Sequence, residues 1–434
     1  MTRRYAIVGL GHRSRMYVDA LLGDWSDTGE ITALCDRNQT RMDYYNERIA
    51  ATGRDPVPTF SPDGFPALLE LADAVVVTTM DSTHAHYVCA ALDAGRDVIV
   101  EKPLTVDAES CAKIAAAAER GRGRLVVTFN YRYAPRNSAV RELLAADRIG
   151  AVTSVHFDWA LDTIHGADYF RRWHRQAENS GGLLVHKSTH HFDLVNWWLG
   201  SHPELVFAQT DLRFYGGSGA GAELYGPRPE RGQGAPGLGT DPFILDISTD
   251  PHLKRLYLDA EHEDGYIRDQ DVFTDPVTIP DNMSVLVRYG NRALLSYSLT
   301  THAPSEGYRV VFTGTKGRIV LDVCERAWTP PQAAVDPSAH GKTHDEGTYE
   351  RLTLHEHWKE PEEIPIVQGA GGHGGGDRLL LDDVFRGAGN DPLARQAGYR
   401  DGIRSVLTGV AANESARTGG PVLLADEGTR LLDD

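Results

Sequence analysis

The chain has little cysteine, no long apolar run and no excess of basic residues. Its four cysteines, Cys35, Cys89, Cys111 and Cys324, are scattered through 434 residues with no CxxC pair. They read as small core residues of a protein kept in a reducing compartment. No apolar run approaches the roughly 20 residues that a membrane span requires. Acids outnumber bases, 61 against 44, for a formal net charge of −17 spread along the whole length. That balance argues against nucleic acid and against anionic membrane surfaces as partners. The first strand pattern begins by Tyr5, which leaves no room for a signal peptide, so a cytoplasmic protein is expected. The length suits two domains better than one.

Against those absences stands a strong N-terminal pattern. Tyr5-Ala-Ile-Val-Gly9-Leu-Gly11-His-Arg13-Ser14 runs from an apolar strand into a glycine turn. Gly9 permits the tight turn, Gly11 lets the backbone approach a pyrophosphate, and the following helix aims its first amides at that anion. Ser14 stands where a third glycine usually sits, so the motif alone reads equally well as an ordinary strand–helix turn. About 25 residues on, Glu30 to Arg37 form a second apolar strand ending in Asp36, the place of the acid that bonds the adenosine ribose. The Asp36 charge repels a 2′-phosphate and favours NAD over NADP, while neighbouring Arg37 tolerates one. The alternative is a plain acidic strand end.

Strand and helix patterns alternate through the first 130 residues. Leu71–Thr79, Asp97–Val100 and Arg124–Thr128 read as strands, with helices over His84–Ala94 and Asp107–Arg120. That rhythm predicts a doubly wound parallel sheet. After a helix over Arg136–Ala146 the rhythm changes. Val152–Leu161, Pro203–Phe214, Met283–Tyr289, Ala293–Thr300, Tyr308–Thr313 and Gly317–Val323 read as strands with few helices between them, the last two joined by a Gly-Thr-Lys-Gly hairpin. The expectation is therefore an α/β protein: residues 1–130 as a dinucleotide-binding domain, and 131–434 as an α+β domain with a large open, mostly antiparallel sheet. A Gly/Pro-rich loop over 216–239 and a polar stretch over 325–376 interrupt it, and loops that long are usually functional. A final helix over Ala397–Arg417 carries small residues on one face.

Three further motifs identify a family. Glu101-Lys102-Pro103 closes a first-domain strand, Thr78 to His84 precedes it, and Gly181-Gly182-Leu-Leu-Val-His186-Lys187-Ser-Thr-His190-His191-Phe-Asp193 follows downstream. Together with the GxG turn these resemble the Gfo/Idh/MocA oxidoreductases, the group of inositol dehydrogenase and glucose–fructose oxidoreductase. The resemblance spans nearly the whole chain and implies a Rossmann domain for the first 130 residues. It also implies that residues 131–434 bind substrate and build a homodimer or homotetramer. It places Lys102 beside the nicotinamide and the reacting hydroxyl, where an ammonium held by Glu101 stabilises a developing alkoxide. Lys102-Pro103 is a plausible cis peptide. His190, the histidine of HxxD, takes the role of catalytic base, since an imidazole titrates near neutrality. The position four residues earlier is usually an aspartate that assists the base. Here it is His186, which is counted as catalytic although a second imidazole does not raise the base's pKa.

Spacing puts His186, His190 and Asp193 on one helical face. A zinc site there is the less favoured reading, because the family is generally metal-free, and no metal is expected. The cofactor set implied by the resemblance adds Arg13, Ser14, Thr79, Asp81, His84, Glu101 and Lys102 to the two glycines, Asp36 and Arg37. Asn130 and Arg132 leave the last Rossmann strand near the cleft. Arg172 and Trp173 belong to an aromatic and guanidinium segment, Tyr169–Arg175, suited to sugar stacking or to an anionic substituent. With Lys187 and Asp193 these complete the expected substrate contacts. Acids over Asp259–Asp269 suit hydroxyl recognition, and His373 in a glycine run suits a lid.

The expected function is NAD-dependent oxidation of a secondary hydroxyl of a sugar, cyclitol or glycoside. A second reading keeps NAD bound, oxidises the sugar transiently, eliminates the aglycone and returns the hydride, cleaving a glycoside without net redox. A third is a non-catalytic nucleotide or sugar sensor.

Overall fold

The computed structural model describes residues 2–331, 347–367 and 375–424. His373, in the glycine run, lies outside them. The first sheet has six parallel strands: β1 (Arg3–Val8), β2 (Gly29–Cys35), β3 (Thr59–Phe60), β4 (Ala74–Val77), β5 (Asp97–Val100) and β6 (Leu125–Val127). Their order is β3-β2-β1-β4-β5-β6. Ala-Val-Val-Val in β4 is wholly buried, as expected of a strand covered on both faces. β3 left no periodic signal because it is two residues long at the sheet edge.

The second sheet has nine strands: β7 (Val152–Asp162), β8 (Pro203–Asp211), β9 (Asn282–Tyr289), β10 (Leu294–Ala303), β11 (Glu306–Gly314), β12 (Gly317–Arg326), β13 (Tyr349–Glu356), β14 (Glu362–Ile364) and β15 (Val422–Leu423). They run in the order β14-β13-β12-β11-β7-β10-β9-β8-β15. β7 and β10 pair in parallel, and every other neighbouring pair is antiparallel. Burial alternates strictly along β9, so one face of the sheet meets the core and the other is open.

Three readings of the second half need correction. Helices are plentiful there: His165–Arg171, Leu183–His186 and Ser188–Leu199 lie between β7 and β8, and Ala220–Tyr225 and Pro251–Leu256 between β8 and β9. The polar stretch 325–376 is not only loop, for it contributes β13 and β14. In β13 only Leu352 and Leu354 are fully buried, too few apolar positions to betray a strand from composition. β8 stops at Asp211, three residues short of the expected end. The buried Asp281 carboxylate takes the amides of Arg213, Phe214 and Tyr215, which therefore leave the ladder.

The two halves interlock. Ala397 bridges to Val127 at the edge of the first sheet. The helix Tyr399–Thr418 then crosses beneath the second, its Gly409 so close to Leu184 that a Cβ there would sit 2.3 Å from the Leu184 carbonyl oxygen. That contact is why the last helix needs small residues, and it fixes the short helix carrying His186. On the other side, Leu253, Leu256 and Tyr257 join Tyr17, Leu21 and Tyr45 in a core against the first sheet.

Candidate active site

The expected dinucleotide-side groups Gly9, Asp36 and Glu101 follow strand ends of the first sheet and line a cleft. Gly9, at φ +82°, makes the turn after β1; a Cβ on it would lie 2.6 Å from the Thr79 amide nitrogen, so only glycine lets the two crossings meet. The buried Asp36 carboxylate, at the end of β2, receives the Leu10 amide (2.6 Å) and the Asn38 amide (2.9 Å). Burial pushes its pKa up. Glu101 follows β5 and accepts from Arg13 Nε (2.6 Å) and the Tyr17 hydroxyl (2.7 Å). Burial works against its charge, yet Arg13 and Lys102 hold its pKa below the usual range. The Lys102-Pro103 peptide is cis.

A cleft of about 350 Å³ joins these groups to the second half of the chain. Gly9, Gly11, Arg13, Asp36, Arg37, Thr79, Asp81, Glu101 and Lys102 line it from the first half. Arg172, Trp173, His186, Lys187 and His190 line it from the second, and Asn130 from the junction between them. Lys102 Nζ stands 3.4 Å from His186 Nε2, and His186 Nδ1 stands 2.5 Å from Asp81 Oδ2. Burial, then Lys102 and His174, hold the His186 pKa well below that of a free imidazole. The His190 ring stacks on Tyr131, with 4.3 Å between centroids and 16° between planes. Lys187 donates to the Tyr131 hydroxyl (3.1 Å) and lies over Trp159; burial lowers its pKa to about 8.

Four expected contacts do not face this cleft. Ser14 is fully buried, its hydroxyl on the Gly11 carbonyl (2.7 Å) and the Tyr45 hydroxyl (2.9 Å), so it shapes the turn instead of meeting a phosphate. His84 is likewise buried, one ring nitrogen 2.8 Å from the Pro103 carbonyl oxygen and the other 3.2 Å from that of Thr79. It holds two cleft segments in place from behind. Arg132 and Asp193 form a bidentate pair with each other (2.7 and 2.6 Å) in the core. Consequently Asp193 does not share a working face with His186 and His190. The helix breaks at Lys187, between Leu183–His186 and Ser188–Leu199. Among the described residues no group of three or more His, Cys, Asp or Glu is placed to hold a metal ion.

Arg172 reaches the cleft but is paired with Asp168 (3.1 Å), which Arg268 also holds (2.7 Å). Against burial, Arg268 and Arg172 bring the Asp168 pKa down to about 2. His165, Asp168 and Tyr257 line the cleft without having been singled out from sequence. His165 and Asp168 lie on a helix of seven residues and Tyr257 in a connection beyond Pro251–Leu256, stretches too short for a periodicity that would mark them.

Tyr257 belongs to a strap, residues 250–264, that closes over the dinucleotide end. Its hydroxyl accepts from the His12 amide (2.9 Å), in the turn aimed at the pyrophosphate position. Arg41 reaches Asp264 (2.8 Å) and the Leu256 carbonyl (2.9 Å), and Asn38 the Ala260 carbonyl (2.9 Å). Glu263 receives the amides of Gln39 and Thr40 at the start of the helix Gln39–Ala51. Of the acids of 259–269, Glu263 and Asp264 thus grip the first domain, Glu261 and Asp269 hold Arg231, and Asp259 holds Lys254, so these side chains are already paired. Arg37 is drawn to Asp264 (3.3 Å).

Comparison with known proteins agrees with this arrangement. Residues 3–129 match the family model for the NAD-binding Rossmann fold of the GFO_IDH_MocA oxidoreductases, and residues 141–424 match that for their C-terminal alpha/beta domain. The chain is 36% identical over 418 residues to YteT of Bacillus subtilis (strain 168), named as an oxidoreductase, covering 92% of this chain and 93% of that one. It is 29% identical over 208 residues to an inositol 2-dehydrogenase of Rhizobium meliloti (strain 1021), covering 48% and 58%. A solved levoglucosan dehydrogenase in complex with NADH shares the fold, with a TM-score of 0.64 at 15% identity over 98% of this chain and 99% of that one. No helix among the described residues is long and apolar enough to cross a membrane.

Proposed function

Because the chain belongs to the Gfo/Idh/MocA family of oxidoreductases, we propose that it moves hydride between a nicotinamide and a secondary hydroxyl of a sugar, cyclitol or glycoside. The observation that carries this reading is the convergence of Lys102, His186 and His190 with Gly9, Gly11 and Asp36 on a single cleft. A bound nicotinamide supplies the hydride acceptor. The protein's own work is to place the alcohol and manage its proton. His190 takes the hydroxyl proton, while Lys102 donates to the same oxygen and stabilises its growing negative charge. Trp173, stacked on His174 with centroids 3.6 Å apart, offers a flat apolar wall for a sugar ring.

Asp36 supports NAD over NADP, and the strap strengthens the preference. Asp264 brings a second carboxylate beside Asp36 through their shared partner Arg41, and it also engages Arg37, the residue that would otherwise greet a 2′-phosphate. The test is NADH formation from myo-inositol, D-glucose, D-xylose, levoglucosan and methyl α-D-glucoside, with NAD and NADP in parallel. Turnover of at least one, with NAD preferred by at least about tenfold, the equivalent of ~1.4 kcal/mol, is expected. Failure with all five under both cofactors would remove the dehydrogenase reading for these substrate classes.

The strap also favours a second reading, glycoside cleavage without net redox by a retained NAD. Its signature is nucleotide released in near-stoichiometric amount when the freshly purified protein is denatured, with methyl α-D-glucoside cleaved and no NADH accumulating. A protein that purifies empty and binds NAD reversibly would eliminate it.

A further inference from the structure

We propose that Asp81 is a positioning residue for the reaction, acting through His186 to hold the Lys102 ammonium against the substrate oxygen. Three elements meet at this point: the turn Asp81–Thr83 after β4, the segment after β5 that carries Lys102, and the short second-domain helix Leu183–His186. Asp81 and His186 are both buried. The His186 ring spans the gap between the other two, Nδ1 on the Asp81 carboxylate and Nε2 on the Lys102 amine.

A neutral imidazole has one N–H and one lone pair, and its neighbours decide which nitrogen carries which. A carboxylate at Nδ1 and an amine at Nε2 admit one arrangement. Nδ1–H donates to Asp81, and the Nε2 lone pair accepts a hydrogen from Lys102. The opposite tautomer sets a lone pair against the carboxylate and an N–H against the ammonium, losing both bonds. With one Lys102 hydrogen committed to Nε2, its remaining hydrogens are directed into the cleft.

The ring must stay neutral for this, and its surroundings keep it so. Lys102, His174, Arg172 and Lys187 face His186, and burial first, then Lys102 and the other neighbours, suppress its protonation. Lys102 in turn faces Asp81, Glu101, Arg13 and Arg172. Burial lowers its pKa, and Asp81 and Glu101 oppose that fall. Burial pushes the Asp81 pKa well up while Lys102 and Arg172 oppose that rise, so Asp81 and Lys102 support each other's charge, and the carboxylate also fixes the tautomer that accepts from Lys102. A carboxylate thus stands behind the catalytic pair from the first domain, and the His186 imidazole bridges the distance to Lys102. The resemblance put Asp81 among the cofactor contacts; its carboxylate lines the cleft and meets His186.

The inference rests on the hydride-transfer reading for its chemistry, but its first test does not need turnover. Imidazole ¹⁵N spectra of histidine-labelled protein, with His186 assigned by loss of its signals in His186→Gln, are expected to show a protonated Nδ1 and an unprotonated Nε2 from about pH 6 to about pH 9. Asp81→Ala should abolish that fixed tautomer. A wild-type ring protonated at Nε2 or at both nitrogens, or signals unchanged in Asp81→Ala, would overturn the proposal. With the fastest sugar of the panel, Asp81→Ala should lower kcat about a hundredfold at nearly constant KM for NAD, the lower end of what a mispositioned acid–base group forfeits. Its alkaline limb should move to lower pH, because losing an anion lets Lys102 shed its proton sooner. The double variant Asp81→Ala/His186→Asp returns a carboxylate beside Lys102 and should recover much of that loss. A raised KM for NAD at unchanged kcat would instead make Asp81 a cofactor contact. If no sugar turns over, the hydride reading fails while the tautomer result still decides the role of Asp81.

Discussion

Lys102→Met is expected to lower kcat about a thousandfold while leaving the fold and NAD binding intact. Removing one preorganised donor from a developing oxyanion costs about 100- to 1000-fold, and general acid–base groups contribute on a similar scale. The larger figure applies because Lys102 is also the group that His186 and Asp81 are arranged around. Stability should hardly change. Burial already disfavours the Lys102 ammonium, and Glu101 keeps Arg13 and Tyr17 as partners when the lysine is gone. Methionine fills a similar volume without a charge. The check is kcat from NADH formation beside NAD affinity from quenching of tryptophan fluorescence, Trp173 being in the cleft. Retained kcat would shift the burden of catalysis to His190 or Lys187.

The parts of the site that were legible in sequence are those whose backbone does the work. A glycine turn after an apolar strand, an acid ending the next strand, and Glu-Lys-Pro after β5 lie at fixed offsets from strand ends, and strand ends in a doubly wound sheet all face one crevice. Side-chain direction was not legible in the same way. Arg132 lies within the turn Asn130–Tyr133 that also brings Asn130 and Tyr131 to the cleft, yet its guanidinium turns the other way, to Asp193, 61 residues along the chain. A charged residue near a site looks the same in sequence whether it faces a ligand or a buried partner. The strap was hidden for a related reason. Glu261, Glu263 and Asp264 look like a solvated acidic loop until the amides and guanidinium groups they satisfy are known, and those sit more than two hundred residues earlier for Glu263 and Asp264.

Arg132→Met should destabilise the protein by about 3–5 kcal/mol near pH 8, because it strands a buried carboxylate. Arg132 is 2% exposed and joins three elements: its own turn after β6, Asp193 on the helix that carries His190, and Asp401 (3.1 Å) on the helix Tyr399–Thr418. Asp401 loses little, for it also accepts the Gly398 amide (3.0 Å) and is partly exposed. Asp193 loses everything that offsets its desolvation. Even in the wild type, burial outweighs Arg132 and pushes the Asp193 pKa up to about 6, from about 3.9 in the unfolded chain. Between those values the folded protein binds the extra proton, so this group's contribution to stability falls as pH rises from about 4 to about 6. Without the arginine the folded pKa moves higher still. The deficit of Arg132→Met should therefore be largest above neutrality and shrink as the pH falls and Asp193 takes up its proton. Urea midpoints at pH 8 and pH 5.5 measure both. Arg132→Met/Asp193→Leu removes the pair and should restore most of the stability, since an apolar replacement of a buried ion pair is often neutral. If the single variant loses stability equally at the two pH values, the cost is packing against Trp197, over which the guanidinium also lies, and not a stranded charge.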